Sequence, residues 1–321
     1  MGCYWNKKNI IYSIEKPEIL FIEICKKCNL ECIHCMNRSG PKENEVIEYG
    51  RLCEIAEWFK TKKINRVVLS GGELFCLENA IDIIALFSEY SKVQILTNGT
   101  LLKEQYMKYL ITNNILIQIT LNGHKEDIDA QLRKNAFKRT CKNIIDLMRY
   151  DKAQDLVTIS CTLFSGNINY IREMTVFCYE KLKVKKLQFS FIGCRGRAID
   201  AWEDLKLSVN QKYKALNTIL ALKKKYKSYM EISVSGLHEF LAEVNEESIS
   251  CEMLNREAEI VYPGEMRICL RLEQYLEYNR CFSKTIDFKT KETILYLDKN
   301  AEKKLNDKLR NIECCIQRKK E

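Results

Sequence analysis

Three cysteines lie close together near the start of the chain, in the run Cys28-Asn-Leu-Glu-Cys32-Ile-His-Cys35. Three thiolates on one short loop can bind three corners of a 4Fe-4S cluster. No fourth cysteine follows at close spacing, so one iron can keep an open coordination position for a substrate or cofactor. The spacing therefore predicts an iron-sulfur site whose metal takes part in chemistry.

A zinc site is the main alternative for this triplet. Zinc sites usually combine two well-separated Cys-x2-Cys or Cys/His pairs, and the three histidines of the chain form no matching pair. Cys25 makes a second ligand-like pair with Cys28, but it ends the apolar run 19–24, which predicts a strand. We therefore interpret Cys25 as a thiol at the end of a strand, and the triplet as the ligands.

Four further motifs follow predicted strands, each at the point where the chain leaves the sheet. They are Ser70-Gly71-Gly72-Glu73, Thr97-Asn98-Gly99-Thr100, Thr120-Leu121-Asn122-Gly123 and Gly193-Cys194-Arg195-Gly196-Arg197-Ala198. Together with the Cys-x3-Cys-x2-Cys loop, and in this order, they resemble the radical S-adenosylmethionine (radical SAM) superfamily. The resemblance covers residues 18 to about 200.

The resemblance implies a cofactor and a reaction. In the family, the open iron chelates the amino and carboxylate groups of S-adenosylmethionine (SAM). One electron then cleaves a carbon-sulfur bond and releases a 5'-deoxyadenosyl radical, which abstracts hydrogen from the substrate. The cofactor performs this step, and the protein orients it. We expect the electron to come from a donor of the flavodoxin or ferredoxin type.

The same resemblance assigns roles to the motif residues. Glu73 positions the ammonium group of SAM, and Thr120 and Asn122 reach its ribose hydroxyls, although Asn122 stands where many members have an aspartate. The glycines of the Gly-Gly-Glu motif let the backbone approach the methionyl group, because they lack a Cβ. One arginine of the last motif pairs with a carboxylate of the cofactor or substrate. The implied SAM-binding residues are Gly71, Gly72, Glu73, Asn98, Thr120, Asn122, Arg195 and Arg197.

The periodicity of apolar residues predicts the elements that position these motifs. Strand-like runs near 19–24, 66–70, 92–97, 115–121, 157–163 and 187–191 alternate with helical segments near 46–60, 76–90, 102–113, 138–150 and 168–182. This alternation favours an α/β fold with a parallel sheet that can curl into a barrel or part of one. The resemblance implies a partial (β/α)6 barrel of the TIM type. Every motif falls on a loop after a strand, where such barrels carry their chemistry.

The last third of the chain has a different pattern, so we predict three parts: an N-terminal segment (1–17), the partial barrel (18–228) and a small α+β domain (229–321). The spacing Cys251-x12-Gly264-x4-Cys269 resembles the hairpin that opens the twitch and SPASM domains of radical SAM enzymes, with Pro263-Gly264 as the turn. By resemblance, Cys251, Cys269, Cys314 and Cys315 bind an auxiliary 4Fe-4S cluster, with Cys281 as an alternative to one of the adjacent pair.

Composition excludes several other classes of protein. The 321 residues carry a net charge of +9, but the excess is spread over helices and tails with no nucleic-acid-binding module beside it. Charges interrupt every apolar run before it reaches membrane-spanning length. No secretory segment begins the chain, and its 16 cysteines favour metal ligands and buried thiols over disulfides. We expect a cytoplasmic protein that binds neither nucleic acid nor membrane.

Three functions are compatible with these features. We favour an enzyme that forms a crosslink, thioether or epimer in a ribosomally synthesised peptide, because family members with the C-terminal domain often do so. The alternatives are an oxidase of a small-molecule alcohol in natural-product biosynthesis and a non-catalytic iron-sulfur scaffold, which would not need Gly71-Gly72-Glu73. An epimerase would need a thiol hydrogen donor, for which Cys194 or Cys281 could serve. About 18 residues precede the first strand, so we expect either a separate protein or the barrel itself to recognise a leader peptide.

Overall fold

A computed structural model describes residues 18–62 and 64–235, together with four short strands at 257–261, 265–267, 284–287 and 292–295. Parallel strands in chain order form the centre of its sheet. They are β1 (Ile19–Cys25), β2 (Arg66–Gly71), β3 (Lys92–Thr97), β4 (Leu116–Thr120), β5 (Val157–Leu163), β6 (Lys186–Phe191) and β7 (Glu231–Ser235).

Helices connect these strands. The longer ones are α1 (Tyr49–Lys62), α2 (Ala80–Ser88), α3 (Glu104–Thr112), α5 (Phe137–Leu147) and α9 (Val209–Lys225). The short ones are α4 (Glu126–Asp129), α6 (Ala153–Leu156), α7 (Ile171–Val176) and α8 (Trp202–Leu205). Further helical turns lie at Leu74–Cys76, Ile168–Tyr170, Phe177–Lys181 and Gly196–Ala201. The α/β class predicted from the sequence is confirmed.

The core forms because apolar side chains recur at strand and helix spacing. Leu20, Ile22 and Ile24 of β1 are fully buried, and the residues between them are half-buried. Helix α1 buries a stripe that includes Ile55 and Phe59, as the sequence predicts. Burial on both faces is typical of a parallel sheet covered by helices.

The parallel sheet is one strand longer than the sequence predicts. β7 pairs with β6, from Lys186 opposite Glu231 to Ser190 opposite Ser235, although it lies beyond residue 228. The sequence pattern misses it because Glu-Ile-Ser-Val-Ser has only two apolar residues and directly follows a long helix. Among the described strands the sheet stays open, with β7 at one edge.

The other edge of the sheet holds the strands of the C-terminal region. β8 (Glu257–Val261) lies parallel to β1, and β9 (Glu265–Arg267) pairs antiparallel with β8. These are two short strands at the place where the sequence predicts a hairpin around Pro263-Gly264. β10 (Lys284–Asp287) and β11 (Glu292–Leu295) complete the order β11-β10-β9-β8-β1.

Several predicted features lie outside the described residues. These are the segment 1–17, the turn residues Pro263 and Gly264, and the cysteines Cys251, Cys269, Cys281, Cys314 and Cys315. The domain boundary after residue 228 stays a prediction. Within the part of the chain that is described, no helix has both the length and the apolar character needed to cross a bilayer.

Candidate functional site

The loop that carries the three cysteines follows β1 and spans residues 26–40; we call it the thiol loop. Cys28 is buried, and Cys32 and Cys35 are half-buried. Backbone N–H groups already point at two of the sulfurs: Leu30 donates to the Cys28 Sγ at 3.4 Å, and Ser39 donates to the Cys35 Sγ at 3.3 Å. Such hydrogen bonds stabilise thiolates, and they tune the reduction potential of a cluster that the thiolates bind.

Burial keeps the thiols of Cys28 and Cys32 protonated when no metal is bound. It raises the pKa of Cys28 to about 12 and that of Cys32 to about 11, and the Arg133 guanidinium opposes the rise at Cys32. A thiol with so high a pKa is a poor nucleophile at neutral pH. A bound metal changes this, because coordination displaces the proton and supplies the compensating charge.

The Gly-Gly-Glu motif packs directly against the thiol loop. Gly72 N–H donates to the carbonyl of Cys25 at 2.5 Å, and Glu73 N–H donates to the carbonyl of Lys27 at 2.9 Å. A Cβ on Gly71, whose φ is +126°, would lie 2.4 Å from the Cys25 oxygen, and one on Gly72 would lie 2.2 Å from the Lys27 oxygen. These two positions therefore require glycine because the backbone of the motif lies so close to the backbone of Cys25 and Lys27.

Glu73 joins this motif to the next one. Its carboxylate is fully buried and accepts hydrogen bonds from the Thr97 hydroxyl at 2.8 Å, from Asn98 N–H at 2.8 Å and from Phe75 N–H at 3.3 Å. Burial raises the pKa of the carboxyl, and these donors oppose that rise. Glu73 thus fixes the loop at residues 97–100 as well as the one on which it lies.

Asn98 extends the connection back to the thiol loop. Its Nδ2 donates to the Asn29 Oδ1 at 2.9 Å and approaches the Cys28 Sγ at 3.9 Å. In return, Asn29 Nδ2 donates to the Thr100 hydroxyl at 2.8 Å. The loops after β1, β2 and β3 therefore form one hydrogen-bonded unit at the carboxyl ends of their strands, where parallel α/β folds bind ligands.

The motif Thr120-Leu121-Asn122-Gly123 is more enclosed than the sequence suggests. Thr120 ends β4 half-buried, but Asn122 is fully buried, and its Oδ1 accepts a bond from Thr162 N–H at 2.9 Å. Asn122 N–H donates to the Asp129 Oδ1 at 2.8 Å. The Nδ2 of Asn122 is buried without a hydrogen-bond partner among the described residues. The ribose contact predicted for Asn122 stays a prediction.

A buried ion pair that the sequence analysis missed supports two of these loops. Arg133 and Asp129 are 1% and 0% exposed and lie 3.0 Å apart, with a second bond from Arg133 Nε at 3.2 Å. Arg133 also donates to the carbonyl of Asn98 at 3.3 Å. An Asp and an Arg four residues apart is the only sequence signal, and it is equally typical of an exposed helix face.

The two arginines after β6 differ in their surroundings. Arg197 donates through Nη1 to the Cys32 carbonyl at 2.6 Å and through Nη2 to the Ser39 carbonyl at 2.8 Å. Its guanidinium thus bonds the protein backbone, and the carboxylate contact predicted for one of the two arginines stays a prediction. Arg195 and Cys194 lie half-buried on the same loop, and their predicted roles stay predictions.

His34, next to Cys35, has an orphaned polar atom. Its Nδ1 is buried with no hydrogen-bond partner among the described residues. Burial, together with Arg133 and Arg197, lowers the pKa of the imidazole to about 4. The ring is therefore neutral at physiological pH, and its unpaired nitrogen fits a site completed by a bound group.

The donor set suits a cluster better than a single ion. Within residues 18–62 and 64–235, no three His, Cys, Asp or Glu side chains converge to hold one metal ion. In a 4Fe-4S cluster each thiolate binds a different iron, so the sulfurs lie farther apart than they do around one ion. The three thiols, the N–H groups aimed at two of the sulfurs and the unpaired nitrogen of His34 are compatible with a cluster and a second polar group beside it.

Comparisons with known proteins agree with this geometry. Residues 22–178 match the family model described as the Radical SAM superfamily. The chain is 26% identical over 183 residues to the antilisterial bacteriocin subtilosin biosynthesis protein AlbA of Bacillus subtilis (strain 168). The aligned region covers 56% of this chain and 40% of the relative. The chain is 21% identical over 214 residues to the mycofactocin maturase MftC of Mycolicibacterium smegmatis, covering 65% and 53%.

A solved structure shares the fold. The structure of Streptococcus suis SuiB bound to S-adenosylmethionine superposes with a TM-score of 0.68 at 15% identity, over 83% of this chain and 64% of that one. SuiB has also been solved bound to precursor peptide SuiA. The chain spans between 40% and 53% of the length of the two curated relatives. From the family match and the shared fold, this chain carries a domain of the Radical SAM superfamily.

Proposed function

We propose that this chain is a radical SAM enzyme that modifies a ribosomally synthesised peptide. The observation that carries the radical chemistry is the hydrogen-bonded unit of three loops, in which Glu73 and Asn98 connect the thiol loop to its two neighbours. Such a unit is pre-organised, so that a bound cofactor meets a fixed set of groups. The family implies a 4Fe-4S cluster and SAM as the cofactors.

In this proposal Cys28, Cys32 and Cys35 bind the cluster through three irons. The bound cluster and SAM supply the hydrogen-abstracting radical, and the protein holds them and excludes water. The N–H groups of Leu30 and Ser39 stabilise the thiolates. SAM would be held by the residues that the resemblance implies: Gly71, Gly72, Glu73, Asn98, Thr120, Asn122, Arg195 and Arg197.

The peptide substrate rests on the relatives. SuiB binds a precursor peptide, MftC is a maturase and AlbA takes part in bacteriocin biosynthesis. These names support a peptide over a small-molecule alcohol. The predicted leader-recognition protein, the flavodoxin or ferredoxin donor and the cytoplasmic location stay predictions.

Cleavage of SAM is the first test. Anaerobically reconstituted protein with dithionite is expected to convert SAM to 5'-deoxyadenosine, and the C28A/C32A/C35A variant is expected to form none. C25A is the matched control, because Cys25 lies at the end of β1 beside the same loop but outside the triplet. Equal product from wild type and triple variant would refute the ligand assignment.

Iron content tests the auxiliary cluster. We propose that Cys251, Cys269, Cys314 and Cys315, or Cys281 in place of one of the last two, bind a second 4Fe-4S cluster. About four irons are then expected to remain in the C28A/C32A/C35A variant. No iron in that variant would contradict a second cluster and would favour a single-cluster reaction such as epimerisation, with Cys194 or Cys281 as hydrogen donor.

Label transfer tests the class of substrate. A candidate precursor peptide encoded near the gene, deuterated at its α and β carbons, is expected to pass deuterium to 5'-deoxyadenosine, which mass spectrometry detects. A deuterated polyol is the matched alternative substrate. Transfer from the polyol alone would replace the peptide proposal with an alcohol oxidase.

A further inference from the structure

The loop after β6 packs on the thiol loop. We call residues 193–200 the β6 loop. Gly196 has a φ of +52°, and a Cβ on it would lie 2.2 Å from the carbonyl oxygen of Met36 and 2.4 Å from that of Cys35. Such distances allow no side chain, so the two loops meet backbone to backbone at this point. The contact therefore lies at Cys35, one of the three cysteines.

Arg197 spans the thiol loop with three hydrogen bonds. Its N–H donates to the carbonyl of Cys35 at 2.9 Å. Its Nη1 donates to the carbonyl of Cys32 at 2.6 Å, and its Nη2 to that of Ser39 at 2.8 Å. One residue therefore holds the backbone on both sides of the turn that carries Cys32 and Cys35. A planar fork with fixed donor directions suits this task better than a lysine ammonium.

We propose that Arg197 is a positioning residue that holds the thiol loop in its cluster-binding conformation before and after the cluster is inserted. This inference rests on the proposed function, because it takes Cys32 and Cys35 as ligands. Two ligands three residues apart must present their sulfurs to one cluster. A flexible loop loses conformational entropy when a cluster orders it, and a loop that is already braced loses less.

Arg197 also places a positive charge beside the ligands. Its guanidinium bonds neutral carbonyl oxygens, and no carboxylate bonds it among the residues that the structure describes. A reduced cluster carries one more negative charge than an oxidised one, so a nearby cation stabilises the reduced form. The residue thus has two separable effects, one from its hydrogen bonds and one from its charge.

Three variants separate these effects. R197K keeps the charge but loses the fork. R197Q loses the charge and keeps one amide donor. R38A is the matched control: Arg38 joins the same two loops through a bidentate pair with Asp200 at 2.8 and 3.0 Å, but both side chains are more than half exposed. Exposed pairs contribute little to stability.

The experiment uses the full chain, reconstituted anaerobically with ferrous iron and sulfide. Iron per chain and the half-life of the cluster against a chelator are measured for each variant. Loss of a supporting group around a metal site typically weakens binding 10–100-fold. We therefore expect R197Q to lose its cluster at least about tenfold faster than wild type, R197K to fall between the two, and R38A to match wild type. The midpoint potential of R197Q is expected to be more negative than that of R197K.

Two further measurements decide between positioning and general stability. The melting temperature of each apo variant is compared with wild type, and a positioning role predicts a small change beside the large change in cluster half-life. Equal cluster half-lives in wild type, R197Q and R197K would overturn the proposal. A shorter half-life in R197Q would also overturn it if R38A shortened the half-life by the same factor. Wild-type protein that binds no iron would instead refute the ligand assignment, and the inference with it.

Discussion

Removal of one charge from the buried pair Asp129–Arg133 is expected to destabilise the fold strongly. D129N keeps the size of the side chain and an oxygen for the N–H of Asn122, which lies 2.8 Å from Asp129 Oδ1. It leaves the guanidinium of Arg133, only 1% exposed, without a carboxylate partner. Breaking a buried pair from one side costs about 3–5 kcal/mol of unfolding free energy. R133M should cost a similar amount.

The double variant D129N/R133M is the decisive comparison. It leaves no buried charge, and replacing a buried pair by groups of similar volume is often nearly neutral. We therefore expect the double variant to be more stable than either single one, with a coupling free energy of about 3 kcal/mol or more. Urea unfolding of the apo chain, followed by circular dichroism, measures all four free energies. In a thermal melt the single variants should unfold roughly 5–8 °C below wild type.

Two results would refute this reasoning. A loss below about 1 kcal/mol in D129N would mean that water reaches the guanidinium, since that is the range of exposed pairs. Additive losses in the double variant would mean that the two side chains act separately, through Asn122 and Asn98, and not as a pair. An exposed pair on α5, Lys142 and Asp146 at 2.7 Å, is the control, and K142A should cost less than about 0.5 kcal/mol.

Three other changes test the packing of the site. G71A should lower the free energy of unfolding by roughly 2 kcal/mol or more, because Gly71 has a φ of +126° and its added Cβ would lie 2.4 Å from the Cys25 oxygen. G50A in α1, where the added Cβ meets nothing within 4 Å, should raise that free energy by about 0.5–1 kcal/mol. Urea titration compares the two variants. N167A should cost roughly 2–3 kcal/mol in the same assay, because Asn167 bonds Phe164 N–H and the carbonyls of Asn122 and Thr162. Burial raises the pKa of Cys178 far above that of a free thiol. Alkylation by iodoacetamide needs the thiolate, so modification of Cys178 should stay negligible as pH rises from 7 to about 9. Mass spectrometry should find half-buried Cys53 modified before buried Cys178.

The sequence predicts the first six strands well because each is an apolar run. The run 66–70 is observed as Arg66–Gly71, and the run 157–163 as Val157–Leu163. The predicted helix 168–182 is instead a series of turns around α7, with a wider turn at Phe177–Lys181. Apolar periodicity finds a buried face, but it cannot distinguish a regular helix from several turns that bury the same residues.

The partners of the site residues were harder to predict. The resemblance to the family assigns Glu73 to the ammonium group of SAM, and the sequence analysis assigns Arg195 or Arg197 to a carboxylate of the cofactor or substrate. In the structure Glu73 and Arg197 bond the chain itself: Glu73 meets Thr97 and the N–H of Asn98, and Arg197 meets two carbonyl oxygens. The N–H of Asn98 and the two carbonyl oxygens are backbone atoms, which have no sequence signature, so no pattern of residue types predicts these three contacts.

At the loop contacts made by Gly72 and Arg197, the two sides are unequal. One side of such a contact is a specific side chain, such as that of Arg197, or a glycine that permits close approach, such as Gly72. The other side is a backbone carbonyl, as at Lys27 and Ser39, and every residue type supplies one. Substitution of the side chain that makes the contact should therefore disturb the site, whereas substitution of exposed Lys27 should not. At these contacts only one of the two residues has to be of a specific type, whereas the contacts among Asn29, Asn98 and Thr100 depend on side chains on both sides.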